Sequence, residues 1–149
     1  MSSLESRRLV LRNDLAELQR LAGWIDGWAR QHVSPDVSFA VQLCLEEAVA
    51  NVIMYGGGED DRLEIAVELE RNGGTLIARI VDNGRQFDPT QVPSPPRAAS
   101  LDEAPIGNVG IHLMRSFAGS MHYERRDERN RLTLRFREPD ATPAGGVTR

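Results

Sequence analysis

The stretch "SPDVSFAVQLCLEEAVANVIMYGGG", residues 34–58, constrains this chain more than any other. Ser34 followed by Pro35 predicts a helix start, because a serine oxygen can accept an orphan N–H and a proline in the first turn gives up no bond. Gly56, Gly57 and Gly58 predict its end just after Tyr55. Between them Val37, Val41, Cys44, Ala48 and Val52 form an apolar stripe, so the helix has to be packed into a core. Yet it also carries Glu46, Glu47 and Asn51. Such groups are costly in an apolar interior unless something pairs with them, so they ask for a ligand, a metal or a water-filled edge. At about 100° per residue, Glu47 and Asn51 share one edge beside the stripe while Glu46 points elsewhere. A carboxylate there can polarise a hydroxyl or water, and an amide oxygen one turn later can coordinate Mg²⁺. The plainer alternative is a solvated edge of an amphipathic helix.

The flanking segments set the architecture. "RRLVLRN" predicts a short first strand, and "NDLAELQRLAGWIDGWARQH" a helix with Leu15, Leu18, Leu21, Ala22, Ile25 and Trp28 at helical spacing. Asp14 with Glu17 three residues on suggests a capping box. "RLEIAVELE" alternates, with Leu63, Ile65, Val67 and Leu69 facing inward. "RNGG" is a hairpin turn leading into "TLIARIV", whose weaker alternation predicts a more buried central strand. From Asp88 to Ile106 periodicity is lost, and Pro89, Pro93, Pro95, Pro96 and Pro105 mark a long loop of the kind that serves as a lid or binding segment. "GNVGIHLMRSFAGS" predicts a helix entered through glycines. "MHYERRDERNRLTLRF" predicts a closing hairpin with Leu132, Leu134 and Phe136 on one face and "ERRDERNR" at a solvated tip. One domain over residues 1–138 is expected, with a disordered tail over 139–149. Strands joined mostly by hairpins imply an α/β two-layer sandwich: a mixed, mostly antiparallel sheet with helices on one face.

Composition removes several function classes. A net charge of −4 on 149 residues argues against a nucleic-acid binder. All 18 basic residues are arginine, so Schiff-base chemistry and the lysine-dependent phosphate loop are both excluded. Cys44 is the sole cysteine and reads as a small buried apolar residue, and a structural zinc site is not expected. No leader and no run of roughly 18 apolar residues stands out, so a cytoplasmic location is expected.

Two further segments bear chemistry. In "RIVDNGRQFDP", Asp82 closes a buried strand and can accept a hydrogen bond from an exocyclic amine such as that of adenine, while Gly84 lets backbone approach a ring. A plain D-N-G turn is the alternative. In "PIGNVGIHLMRSF", Gly107 and Gly110 stand before a helix whose first N–H groups suit phosphate oxygens, although a simple loop hinge would use the same glycines. The spacing is not G-x-G-x-x-G.

Taken in order, "EEAVANVIMYG", "DNGRQFDP" and "PIGNVGIHLMRSF" resemble the N, G1 and G2 boxes of the Bergerat-fold ATPases, and most closely those of the short anti-sigma-factor serine/threonine kinases of bacterial partner-switching systems. The likeness spans about residues 5–137. It implies ATP and Mg²⁺ as cofactors. Glu47 would be the general base for a protein serine hydroxyl and Asn51 the Mg²⁺ ligand. Asp82 would bind the adenine amino group, with Gly84 close to the base and Phe87 walling the pocket. Gly107, Asn108, Val109 and Gly110 would form the lid hinge and touch the phosphates; where some relatives carry an arginine shortly before the second glycine box this chain has Pro105 and Ile106, so Arg97 or Arg85 is expected to substitute as the positive charge at the γ-phosphate. The family also implies a homodimer, a sigma factor as partner and an anti-sigma-factor antagonist as phospho-acceptor, with no nucleic acid or membrane partner. A nucleotide-binding module that sequesters partners without transferring phosphate is the alternative function.

Overall fold

A computed structural model describes residues 5–56, 62–91 and 106–138, with no side chains for 5 and 106–110. These residues form β1 (Glu5–Arg12), α1 (Glu17–His32), α2 (Pro35–Tyr55), β2 (Glu64–Asn72), β3 (Thr75–Asp82), a 3-10 turn (Pro89–Gln91), α3 (Ile106–Phe117), β4 (Ser120–Arg126) and β5 (Arg129–Arg137). The strands make one sheet in the order β1-β2-β3-β5-β4. All four pairings are antiparallel. Most of the lid segment, with Arg97, and the expected tail over 139–149 lie outside the described residues.

The sheet has one dry face. Leu11, Ile65, Val67, Leu69, Leu76, Ala78, Ile80, Leu132, Leu134 and Phe136 are buried on it, each two residues from the next on its strand. That period of two is what pleating demands. β3 is the central strand and the more buried one, as expected: it alternates between buried and half-buried positions and has no exposed residue. Its open-face residues Ile77 and Val81 are apolar, which hid the alternation in the sequence. At the β2–β3 turn Gly73 has φ +64, a left-handed value that favours glycine.

Helix α2 lies on this face, flanked by α1 and α3. Ser34 caps it, its hydroxyl accepting from the Val37 N–H at 3.3 Å, with Pro35 in the first turn. Val37, Val41, Cys44, Leu45, Ala48 and Val49 are buried. α2 has 21 residues, and an 18-residue window of it with a mean hydropathy of 1.5 is long and apolar enough by composition to cross a membrane, although Glu46 and Glu47 interrupt the apolar run. Half of that window is buried within the domain, as for a core helix. Burial, and secondarily the charge of Glu47, pushes the Cys44 thiol up to about 12, so it packs as an apolar group.

The expected capping box on α1 is not formed. Asp14 accepts from the Ala16 N–H at 2.9 Å, while the Glu17 carboxylate reaches back to the Arg12 N–H at 2.8 Å, so the two residues brace the β1–α1 turn instead. Leu15 falls before the helix and is exposed, whereas Leu21, Ile25 and Trp28 are buried as expected.

Two substitutions separate the forces that hold this layer pair together. In urea denaturation, Leu134→Ala should cost about 2–5 kcal/mol through the cavity it leaves. Ser34→Ala should cost only about 1 kcal/mol, for one lost cap.

Candidate functional site

At one end of the dry face the inward positions turn polar. Asp82 is the last inward residue of β3, and the register sets it between Ile65 on β2 and Asn130 on β5. Both polar residues are buried. Asp82 Oδ1 accepts from the Gly84 N–H at 2.8 Å and from Asn130 Nδ2 at 3.0 Å. Among the described residues no donor is recorded on its Oδ2. Burial raises the Asp82 pKa, and the Asn130 and Gly84 hydrogen bonds and the Arg125 charge only partly offset this.

Above this end lies a cleft lined by Ala48, Asn51, Val52 and Gly56 from α2, Ile80 and Asp82 from β3, and Met114 from α3. Arg85, Phe87, Pro89, Tyr123, Asn130 and Leu132 complete it. Only about 30 Å³ of it admits the centre of a water molecule, so the lining side chains, the half-buried rings of Phe87 and Tyr123 among them, nearly fill it. The Asn51 amide is buried in the wall, and its Nδ2 has no hydrogen-bond partner among the described residues. A buried amide of this kind ordinarily has one, so the cleft holds an unmet demand for a polar ligand.

Asn51, Asp82 and Phe87, distant in sequence, are thus brought together. Glu47 is not among the lining residues and sits half-buried one helical turn before Asn51. Its pKa is raised by burial and by the neighbouring charge of Glu46, whose own carboxylate accepts from Gln42 Nε2 at 3.0 Å. Gly84 lies beside the cleft and borders a second hollow with Gly56 and Asn83. A Cβ on Gly84 would meet the Gly56 carbonyl oxygen at 2.6 Å, so glycine is needed for the loop to meet the end of α2. The Arg85 N–H donates to that same carbonyl at 2.7 Å. Gly107, Asn108, Val109 and Gly110 fall inside α3, in its opening turns, rather than before it, and their side chains lie outside the described residues. Among the described residues no group of three or more His, Cys, Asp or Glu side chains could hold a metal.

Sequence reasoning missed Asn130 and Arg125, which it placed in a solvated hairpin tip, and Tyr123, which it placed in the closing hairpin without a role. The turn itself, Asp127 and Glu128 with positive φ, is exposed, but Asn130 is buried and bonded to Asp82. The signal was available: Asn130 stands two residues before Leu132 in the alternation that continues to Phe136.

Comparison with known proteins agrees with this geometry. The family model described as the histidine kinase-like ATPase domain matches residues 11–136. The chain is 38% identical over 112 residues to the serine/threonine-protein kinase BtrW of Bordetella bronchiseptica, covering 74% of this chain and 79% of that protein. Its fold is similar to the solved RsbU and RsbW domains of Rv1364c from Mycobacterium tuberculosis, with a TM-score of 0.66 at 15% identity over 97% of this chain and 35% of that one. It is also similar to the histidine kinase domain of a blue-light activated histidine kinase from Erythrobacter litoralis, with a TM-score of 0.53 at 13% identity over 85% of this chain and 61% of that one. This chain therefore spans about a third and about three-fifths of those two structures.

The raised pKa of Asp82 has a consequence for stability. A carboxyl whose folded pKa lies above its unfolded value stabilises the fold when protonated, and that contribution is lost as pH rises through the folded pKa. Asp82→Asn keeps an oxygen for Gly84 and Asn130 but carries no charge. Its melting temperature should exceed that of the parent at pH 8, with the difference shrinking as pH falls into the carboxylate range. A difference independent of pH would contradict this.

Proposed function

This chain belongs to the histidine kinase-like ATPase domain family, and from that premise we propose that it is an ATP- and Mg²⁺-dependent serine/threonine protein kinase of the anti-sigma-factor type. In this reading it works in the cytoplasm as a homodimer, binds a sigma factor, and phosphorylates a serine of an anti-sigma-factor antagonist. The observation that carries the proposal is the convergence of Asn51, Asp82 and Phe87 on one cleft where, among the described residues, the Asn51 Nδ2 has no partner and the Asp82 Oδ2 no donor. BtrW, similar over most of its length, is named as a serine/threonine-protein kinase.

Each group then has a chemical task. Asp82 Oδ2 accepts the adenine amino group, and Phe87 and Tyr123 wall the ring. Turning the Asn51 amide over places its oxygen in the wall, where it would hold Mg²⁺. One protein ligand suffices, because Mg²⁺ keeps several waters and takes the remainder from phosphate oxygens. That ion would neutralise negative charge spreading over the transferred phosphoryl group, a need a lysine-free chain also meets with arginine and the helix-terminal N–H groups of α3 near Gly107, Asn108, Val109 and Gly110. Arg85, in the cleft wall, is the described arginine placed to contribute. Glu47, at the rim where a protein hydroxyl arrives, is the general base. Burial and the neighbouring Glu46 charge raise its pKa, which makes its carboxylate a stronger base. Addition of about −1.5 to −2 charge to the acceptor serine would then break one partner complex and release the kinase for another.

With ATP and Mg²⁺ at about 100 times Kd, unfolding should cost roughly 2.7 kcal/mol more than without them. Asn51→Ala should lose most of that gain. Glu47→Gln should retain it while phosphate transfer from ATP to the antagonist drops by at least about 10²-fold. Transfer at the parental rate in Glu47→Gln would reject the base. Tight ATP binding by the parent protein, with no transfer to any serine acceptor, would favour a sequestering module instead.

A further inference from the structure

The amide of Asn130 is saturated on both ends. Its Nδ2 donates to Asp82 Oδ1 at 3.0 Å and to the Arg85 carbonyl at 2.7 Å. Its Oδ1 accepts from the Tyr123 hydroxyl, from an Arg125 guanidinium nitrogen at 3.2 Å and from the Phe87 N–H at 3.4 Å. The same Arg125 nitrogen donates to the Gly84 carbonyl at 2.8 Å. Three donors therefore converge on one carbonyl oxygen. Turning the amide over would aim its own N–H groups at those donors and its oxygen at the Asp82 carboxylate, so only one orientation is tolerated. In that orientation Asn130 and Gly84 occupy Oδ1 of Asp82, a cleft-lining residue, and among the described residues no donor reaches its Oδ2.

We propose that Asn130, locked by Tyr123 and Arg125, is a positioning residue that makes the cleft select a base carrying an exocyclic amine over one carrying an exocyclic carbonyl. This rests on the reading of Asp82 as the acceptor for adenine. Adenine offers an amine donor to Oδ2, whereas guanine offers a carbonyl oxygen, and two acceptors face to face repel and leave a buried group unpaired. Asn130 touches neither the base nor the phosphates in this scheme; it acts by holding the carboxylate at the correct rotation.

The test is fluorescence titration of the full chain with ribose-labelled ATP and GTP analogues in Mg²⁺, across pH 6 to 8. Asn130→Asp replaces the donor by an acceptor, placing two carboxylates side by side. It should weaken ATP binding at pH 8 by about tenfold or more, and binding should recover relative to the parent as pH falls, because a proton shared by the pair restores a donor to Asp82. A purely structural loss would not reverse with acid. Arg125→Ala removes an exposed side chain that the core does not need, and should narrow the ATP-to-GTP preference about threefold or more. It keeps the inference testable if Asn130→Asp does not fold. An Asn130→Asp variant whose pH profile parallels the parent's, or an unchanged preference in Arg125→Ala, would overturn the proposal. Asp82→Ala separates the two levels. Parental ATP affinity in that variant would remove the acceptor reading itself, whereas its loss beside unaffected Asn130→Asp and Arg125→Ala would remove the positioning role alone.

Discussion

A carboxylate buried at the end of an otherwise apolar sheet face is the constraint on which the site depends. Removing an ionised aspartate from water is expensive, and the cost is tolerable only where donors are fixed in advance. Asp82 has two on one oxygen, and their placement follows from the sheet. The β3–β5 register sets Asn130 directly opposite, and the turn after β3 brings back the Gly84 N–H. A one-residue slip of either strand would send Asp82 or Asn130 to the open face and every inward leucine with it. The apolar packing that fixes the register therefore also fixes the polar end.

Helix α2 supplies the second half of the cleft by the same economy of structure. Its apolar circumference forces it between α1, α3 and the sheet, which leaves little freedom in where Asn51 points. Its C-terminal end and the loop after β3 are joined at Gly56, whose carbonyl takes the Arg85 N–H and lies too close to Gly84 for any side chain. The two walls that carry Asn51 and Asp82 are thereby tied through backbone. On the far side, Arg115 of α3 donates to the Thr90 carbonyl at 2.9 Å and to that of Pro89 at 3.3 Å, anchoring the root of the proline-rich segment.

Much of this was legible in the sequence where one local rule dominates. Ser34–Pro35 announced the α2 cap, strict alternation in β2 gave its inward residues, and polar residues in an apolar helix pointed to Asn51. Ile77 and Val81, apolar on the open face, weakened the alternation of β3 and marked it as the more buried central strand that it is. Legibility failed where composition and position disagreed. Asn130 sits among arginines and acids that look solvated, and only its register with Leu132 and Leu134 marks it as inward. Asp14 and Glu17 had the spacing of a capping box, yet tertiary placement of β1 redirected Glu17 to Arg12.

The central claim is that Asn51 and Asp82 face opposite ends of one bound adenine nucleotide. A crystal structure with Mg²⁺ and a non-hydrolysable ATP analogue tests it directly. The account predicts the exocyclic amine within about 3 Å of Asp82 Oδ2 and the metal bound to the Asn51 side-chain oxygen. An analogue seated outside the cleft, or one whose base faces away from Asp82, would contradict it.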